Sequence, residues 1–272
     1  MRQRRVHVTC DTKSDHGRRI LRGILAHASV LRLPWHLRWG PTLPGRAEVG
    51  TFDGLIVQIG NRAQALQVAR LDIPTVNTSS LLADPGFPSV IPDNHAIGQL
   101  AAEYLTRRLY RSFAFVGTDT HQYSRERGEA FLDALGDQPV ARMPAAASRS
   151  DYPALRRAIR NLPTGTAIFA ANDYFARQVV EAATAAKRSI SGDLAVLGVD
   201  AEEEIGAALG FRLTSIDPDA MRIGREAAAL LDRFIDGARA PSTPIRIPPC
   251  GVVEHGSTEI ATGDDPYLPL AL

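Results

Sequence analysis

Short apolar runs alternate with longer amphipathic stretches along most of this chain, and no other feature constrains its fold as strongly. A short buried run bounded by turn residues is a strand, and apolar residues at three-to-four spacing make one face of a helix. Repeated in turn, they give parallel strands crossed by helices. Strand candidates are RVHVTC (5–10), WHLRW (35–39), GLIVQI (54–59), PTVNT (74–78), SVIP (89–92), SFAFVG (112–117), AIFAA (167–171) and LAVLGVD (194–200). Helical spacing covers 17–28, 94–108, 124–135, 151–161, 173–186 and 218–236. The pattern predicts a doubly wound α/β plan in two sets of units, one ending near FAFVGT and one beginning near SRERGEAFLDAL, with no Gly/Ser-rich linker between them. Lobes joined by strands in this way suit a hinge.

A chain of 272 residues, 44% hydrophobic and 22% charged, can build its core without staples, and a net charge of +1 gives the whole surface no electrostatic reason to hold nucleic acid or membrane. The start, MRQRRVHVTC, is basic but leads into only a short apolar strand, and no run approaches the length of a membrane span, so a cytoplasmic protein is expected. Cys10 and Cys250 are too few and too far apart for a disulfide framework, and two buried thiols are expected. Strand-like segments at 245–248 and 251–254 run out into IATGDDPYLPLAL, a tail expected to link to something or fray, with the natural protein continuing beyond Leu272.

In open parallel sheets, ligands bind beyond the carboxyl ends of the strands, so polar residues placed right after a strand come first. AANDYFA offers Asn172 and Asp173, LGVDAEEE offers Asp200, SVIPDNHAIG offers Asp93 and Asn94, and CDTKSDHGRR offers Asp15, His16 and Arg18. Each has a plainer use: helix capping for the Asn and Asp residues, a solvated acidic turn for Asp200 with Glu202 to Glu204, a helix-surface charge for Arg18, and an idle loop histidine for His16. Arg127 in SRERGEAF sits at a helix start, where a cation wants a compensating partner, either Glu126 or a ligand hydroxyl; Arg125 is an equally placed competitor. There is no GxGxxG after a strand, GxxxxGK[ST], HExxH, CxxC or GxSxG, and the seven histidines have no metal-ligand spacing. Amide, carboxylate and guanidinium groups give paired bonds to vicinal hydroxyls, and Trp35, Trp39, Tyr123, Tyr174 or Phe175 can stack on a sugar face.

The segments VIPDNHAIGQLAAEYL, FAFVGT, RERGEAFLDAL, IFAANDYFARQVVEAATAAKRSISGDLAVLGVDAEE and LTSIDPDAMRIGREAAALLDRFIDG resemble, in order across roughly 88–237, the effector-binding core of the lactose/ribose-repressor family. That family carries a helix-turn-helix before the core, whereas this sequence starts the core at once. Instead, IRIPPCGVVEHGSTEIATGDDPYLPLAL resembles the segment that, in bacterial xylose-operon activators, joins a sugar-binding core to a C-terminal arabinose-regulator (AraC)-type DNA-binding domain.

The resemblance implies a type I periplasmic-binding-protein-like fold: two doubly wound parallel-sheet lobes joined by three crossover strands, near 116–119, 214–217 and 244–249, with a sugar in the cleft. The implied lobes are 1–116 plus 217–243 and 117–216 plus 244–258, with 259–272 a linker toward a DNA-binding domain absent from this chain. Aligning Ala130-Phe131 with the family's small-aromatic pair selects Arg127 over Arg125 as the reader of sugar hydroxyls. The resemblance likewise maps Asn172, Asp173 and Asp200, and the first loop of the xylose activators maps His16 and Arg18. The sugar is expected between Arg127, Asn172, Asp173 and Asp200 on one wall and His16, Arg18 and Asp93 on the other. Two positions depart from the family pattern: Ala201 replaces a second acidic residue, and His16 replaces an aromatic before the Gly-Arg of the first loop. The expected protein is a sugar-sensing domain of a homodimeric transcription activator, for xylose or a related monosaccharide. It is expected to reach DNA only through the attached domain, with no enzymatic activity, cofactor, metal or membrane contact. The rivals are a transport-type sugar-binding protein and a carbohydrate-active α/β enzyme.

Overall fold

Each apolar run forms a strand in the computed structural model, which describes residues 3–30, 35–146, 148, 150–210 and 212–259. The chain runs β1 (Arg4–Thr9), α1 (Asp15–Val30), β2 (Trp35–Gly40), β3 (Gly54–Val57), α2 (Arg62–Ala69), β4 (Thr75–Asn77), β5 (Val90–Pro92), α3 (Asn94–Arg107), β6 (Ser112–Gly117) and α4 (Gln122–Leu135). It continues through β7 (Val140–Pro144), α5 (Tyr152–Arg160), β8 (Thr166–Ala170), α6 (Asp173–Ala185), β9 (Leu194–Val199), α7 (Glu203–Leu209), β10 (Thr214–Asp217), α8 (Ala220–Ile235), β11 (Ile245–Ile247) and β12 (Gly251–Val253). The described residues form two compact units, the first up to Asp93 with Pro218–Pro249, the second Asn94–Asp217 with those from Cys250 to Glu259.

In the first unit the sheet order is β2-β1-β3-β4, all parallel, with a separate parallel pair of β5 and β11. Its core joins Val6, Val8 and Ile56 of the sheet to Ile20 and Ile24 of α1 and Ile223, Ala227 and Leu231 of α8. Fully burying aliphatic side chains of this size stabilises by about 1.5–3 kcal/mol each. Helices α1 and α8 touch backbone to backbone: a Cβ on Gly23 would fall 2.0 Å from the Met221 carbonyl oxygen, and one on Gly224 would fall 2.0 Å from that of Ile20.

The second unit carries a six-stranded sheet, β12-β10-β9-β8-β6-β7, parallel except for β12 against β10. Phe113 and Phe115 of β6, Phe131 of α4 and Phe169 of β8 pack at its centre, with Phe131 and Phe169 ring centroids 5.0 Å apart. The sheet sets the carboxyl ends of β6, β8 and β9 side by side, and the loops after them start α4, α6 and α7.

Three features differ from the sequence reading. The first passage of the chain between units falls at Asp93–Asn94, not near 116–119, because Ile97, Ala101 and Leu105 of α3 belong to the same core as Phe131, and β6 pairs with β7 and β8. Cys250 is exposed, while Cys10 is buried and its thiol is pushed up to about 11 by desolvation. Strand β7 and helices α2 and α7 are additional elements: β7 is a half-exposed edge strand, α2 buries only Ala65 and Val68, and α7 is short. The tail from 260 to 272 lies outside the described residues.

Because α1 and α8 meet through glycine, Gly224→Ala should force them apart and cost about 1–3 kcal/mol. Gly40→Ala, where a Cβ meets nothing within 4 Å, should stay within about 0.5 kcal/mol. Urea denaturation of both variants checks the difference.

Candidate functional site

Arg127 lies in α4 on the turn after its first, past the reach of the helix dipole's positive end, and it is only 3% exposed. A buried guanidinium needs partners, and the structure supplies them from three elements. Its Nε donates to Asn94 Oδ1 (3.0 Å), its Nη1 donates to the Ala171 carbonyl (2.6 Å), and its Cζ sits 5.0 Å from the centre of the Tyr123 ring. Burial pushes the Arg127 pKa down, and Asp200, Tyr123, Asp173 and Glu126, in that order, act against the shift. Glu126 is therefore not the direct hydrogen-bonding partner of Arg127: it accepts from Asn94 Nδ2 (2.9 Å) and Gln122 Nε2 (3.1 Å), so Asn94 bridges the two. Arg125 points elsewhere, to the Asp119 carbonyl and Gln122 Oε1.

Asn172 does two things at once. Its Oδ1 caps α6 by accepting from the Phe175 amide (2.9 Å), and its Nδ2 donates to the Tyr123 hydroxyl (3.0 Å). Burial raises the Tyr123 hydroxyl to about 12, so it stays protonated near neutral pH. Asp200 sits half-buried at the end of β9, and its charge is felt by Arg127, Tyr123 and Asp173 alike. The constellation of Tyr123, Arg127, Asn172 and Asp200 thus gathers at the carboxyl ends of β6, β8 and β9, where open α/β sheets bind ligands.

Asp173 belongs to the neighbourhood but not to its accessible face. It is 1% exposed, its Oδ2 accepts from the Glu202 amide (2.8 Å) and its Oδ1 accepts from Ser215 Oγ (2.7 Å). Burial first and Asp200 second push its pKa well above the usual carboxylate range. Glu203 and Glu204, read as a solvated turn, open α7 and oppose its dipole favourably.

The remaining candidates lie in the first unit. His16 is the second residue of α1, half-buried, not a loop residue. Arg18 folds back over its own loop, donating from Nη1 to the Lys13 carbonyl (2.9 Å) and pairing with Asp15 (3.4 Å). Asp93 follows β5, its amide donating to the Ile247 carbonyl (2.7 Å). Of the aromatics named for stacking, Tyr123 joins the constellation. Trp35 donates to Asp232 and packs near His27, Phe175 is buried, and Trp39 and Tyr174 are about half exposed. Sequence reasoning gave no role to Ser215 and did not foresee that Asn94 would bridge Glu126 to Arg127. Among the described residues, no cluster of His, Cys, Asp or Glu is arranged to hold a metal, and no helix is long and apolar enough to cross a membrane.

With this geometry established, comparison places the chain among known proteins. Residues 102–258 match the model of the periplasmic binding protein-like domain. The xylose operon regulatory protein of Haemophilus influenzae is 30% identical over 232 residues, covering 80% of this chain and 60% of that protein. Its Escherichia coli K12 namesake is 26% identical over 230 residues, covering 79% and 59%. The chain therefore spans about three fifths of the length of these curated relatives. Among solved structures, a xylose-binding transcription activator superposes with a TM-score of 0.83 at 22% identity, covering 98% of this chain and 73% of the other. A LacI family transcriptional regulator from Enterococcus faecalis with bound ribose gives 0.72 at 20% identity, covering 94% and 98%. At these identities the structural likeness establishes the fold.

Removing Arg127 leaves Asn94 and the Ala171 carbonyl without their buried donor, so Arg127→Ala should lose about 1–3 kcal/mol in urea unfolding. Arg125→Ala should stay within about 0.5 kcal/mol.

Proposed function

Since the chain belongs to the periplasmic-binding-protein-like domain family, we propose that it is the sugar-sensing domain of a bacterial transcription regulator, binding xylose or a related monosaccharide. The observation that carries this reading is the buried Arg127 fork, held by Asn94 and Ala171 next to Asn172 and Asp200 at the strand ends. Arginine and carboxylate forks form directional paired hydrogen bonds, and vicinal hydroxyls offer a matching pair. Arg127, Asn172 and Asp200 contact the sugar in this reading, and Tyr123 supplies an aromatic edge. The relatives named for the xylose operon support the choice of a pentose.

The regulator acts in the cytoplasm as a homodimer and reaches DNA through a C-terminal AraC-type domain. The greater length of the matched relatives and the character of the segment from Ile245 onward support that arrangement. A sugar controls such a domain only through unequal affinity for two of its states. One observation favours a different reading: two neighbouring carboxyl groups, one with a raised pKa, are also how glycoside chemistry divides acid and base roles. Against it, the Asp173 oxygens are both engaged inside the protein.

A thermal-shift and calorimetry panel of D-xylose, L-arabinose, D-ribose and D-glucose tests the proposal. One of the pentoses should raise Tm by mass action, stabilising by about 2.7 kcal/mol at a hundredfold excess over Kd. Asp200→Ala should weaken that binding at least roughly tenfold without unfolding the protein. No response from any sugar, or steady consumption of the sugar by purified protein, contradicts it.

A further inference from the structure

We propose that Asp173 is a positioning residue, an internal latch that holds the turn from Asp200 to Glu202 and through it sets the Asp200 carboxylate, and that it does not touch the sugar. The inference rests on the proposed sugar site for its consequence but on separate observations for its geometry.

The turn needs holding. Asp200 and Ala201 follow one another at φ 113° and φ 53°, and neither is glycine. Residues with side chains in that half of backbone space are strained and persist only where neighbours over-determine them. Here three consecutive amides are taken up in order. Asp200 N–H donates to the Ile216 carbonyl (3.0 Å), Ala201 N–H to Ser215 Oγ (3.0 Å) and Glu202 N–H to Asp173 Oδ2 (2.8 Å). Ser215 in turn donates to Asp173 Oδ1 (2.7 Å), so both carboxyl oxygens of Asp173 close on the same turn.

The chain also makes room for this latch. A Cβ on Gly198, two residues before Asp200, would lie 1.9 Å from Asp173 Oδ1, so β9 carries glycine where the carboxyl group passes. Both carboxyl oxygens are already taken up by the protein, and an amide in their place can accept on one atom only.

The test uses Asp173→Asn and Ser215→Ala, each alone and, for Asp173→Asn, also combined with Asp200→Ala. In the sugar-free protein, single-amide hydrogen exchange by NMR should rise at least roughly tenfold at Glu202 in Asp173→Asn and at Ala201 in Ser215→Ala, with β8 unchanged. With D-xylose as probe, Asp173→Asn should weaken binding roughly tenfold in the wild-type background and not at all in the Asp200→Ala background, as expected of a residue that acts through another. Unchanged exchange at both amides in folded variants overturns the latch. So does an equal loss of affinity in both backgrounds, which would mean direct contact. If the wild-type protein does not bind D-xylose, the proposed choice of sugar falls, and the exchange rates alone decide the latch.

Discussion

A guanidinium buried to 3% exposure sets the terms for the second unit. Stripping water from a permanent cation costs several kcal/mol unless dipoles and charges replace the lost hydration. Asn94, the Ala171 carbonyl and the Tyr123 ring do so from α3, the end of β8 and α4, with the Asp200 charge nearby. Those partners come from three separate parts of the chain, and the packing of α3 and α4 on the phenylalanine core brings them together. The same demand explains why α3 belongs with the second unit: Asn94, its first residue, is spent on Arg127 and Glu126.

Around that cation the polar groups divide into two kinds. Asn94, Glu126, Asp173 and Ser215 are buried and bonded to protein, while Asn172 and Asp200 are only half-buried at the ends of the strands. Burial with satisfied bonds makes a rigid support, and partial exposure leaves a group able to exchange water for a hydroxyl at little cost. The proposed sugar site is thus a thin outer layer carried by an inner one.

Much of this was legible in the sequence. Apolar runs fixed the strands, since a parallel strand covered on both faces has few alternatives, and Asn172 reads as a helix cap that is also available to a neighbour. The two arginines of RERG look alike in the sequence, yet two residues along a helix is roughly 200° of rotation, and only Arg127 faces the sheet. Asp173 is ambiguous for a different reason. A polar residue after a strand looks the same whether it turns outward or back, and its partners here are a backbone amide and a serine 42 residues away. The edge strand β7 and helix α2 escaped because half-exposed elements carry weak periodicity. The first passage between units was misplaced because only long-range packing assigns α3 to its neighbours.

The most direct measurement follows the side-chain Nε–H resonance of Arg127 by NMR while D-xylose is added. A slowly exchanging signal before addition, shifting on titration together with the backbone amides of Asn172 and Asp200, is the outcome this account requires. Saturable binding that leaves all three unmoved and perturbs residues elsewhere would contradict it.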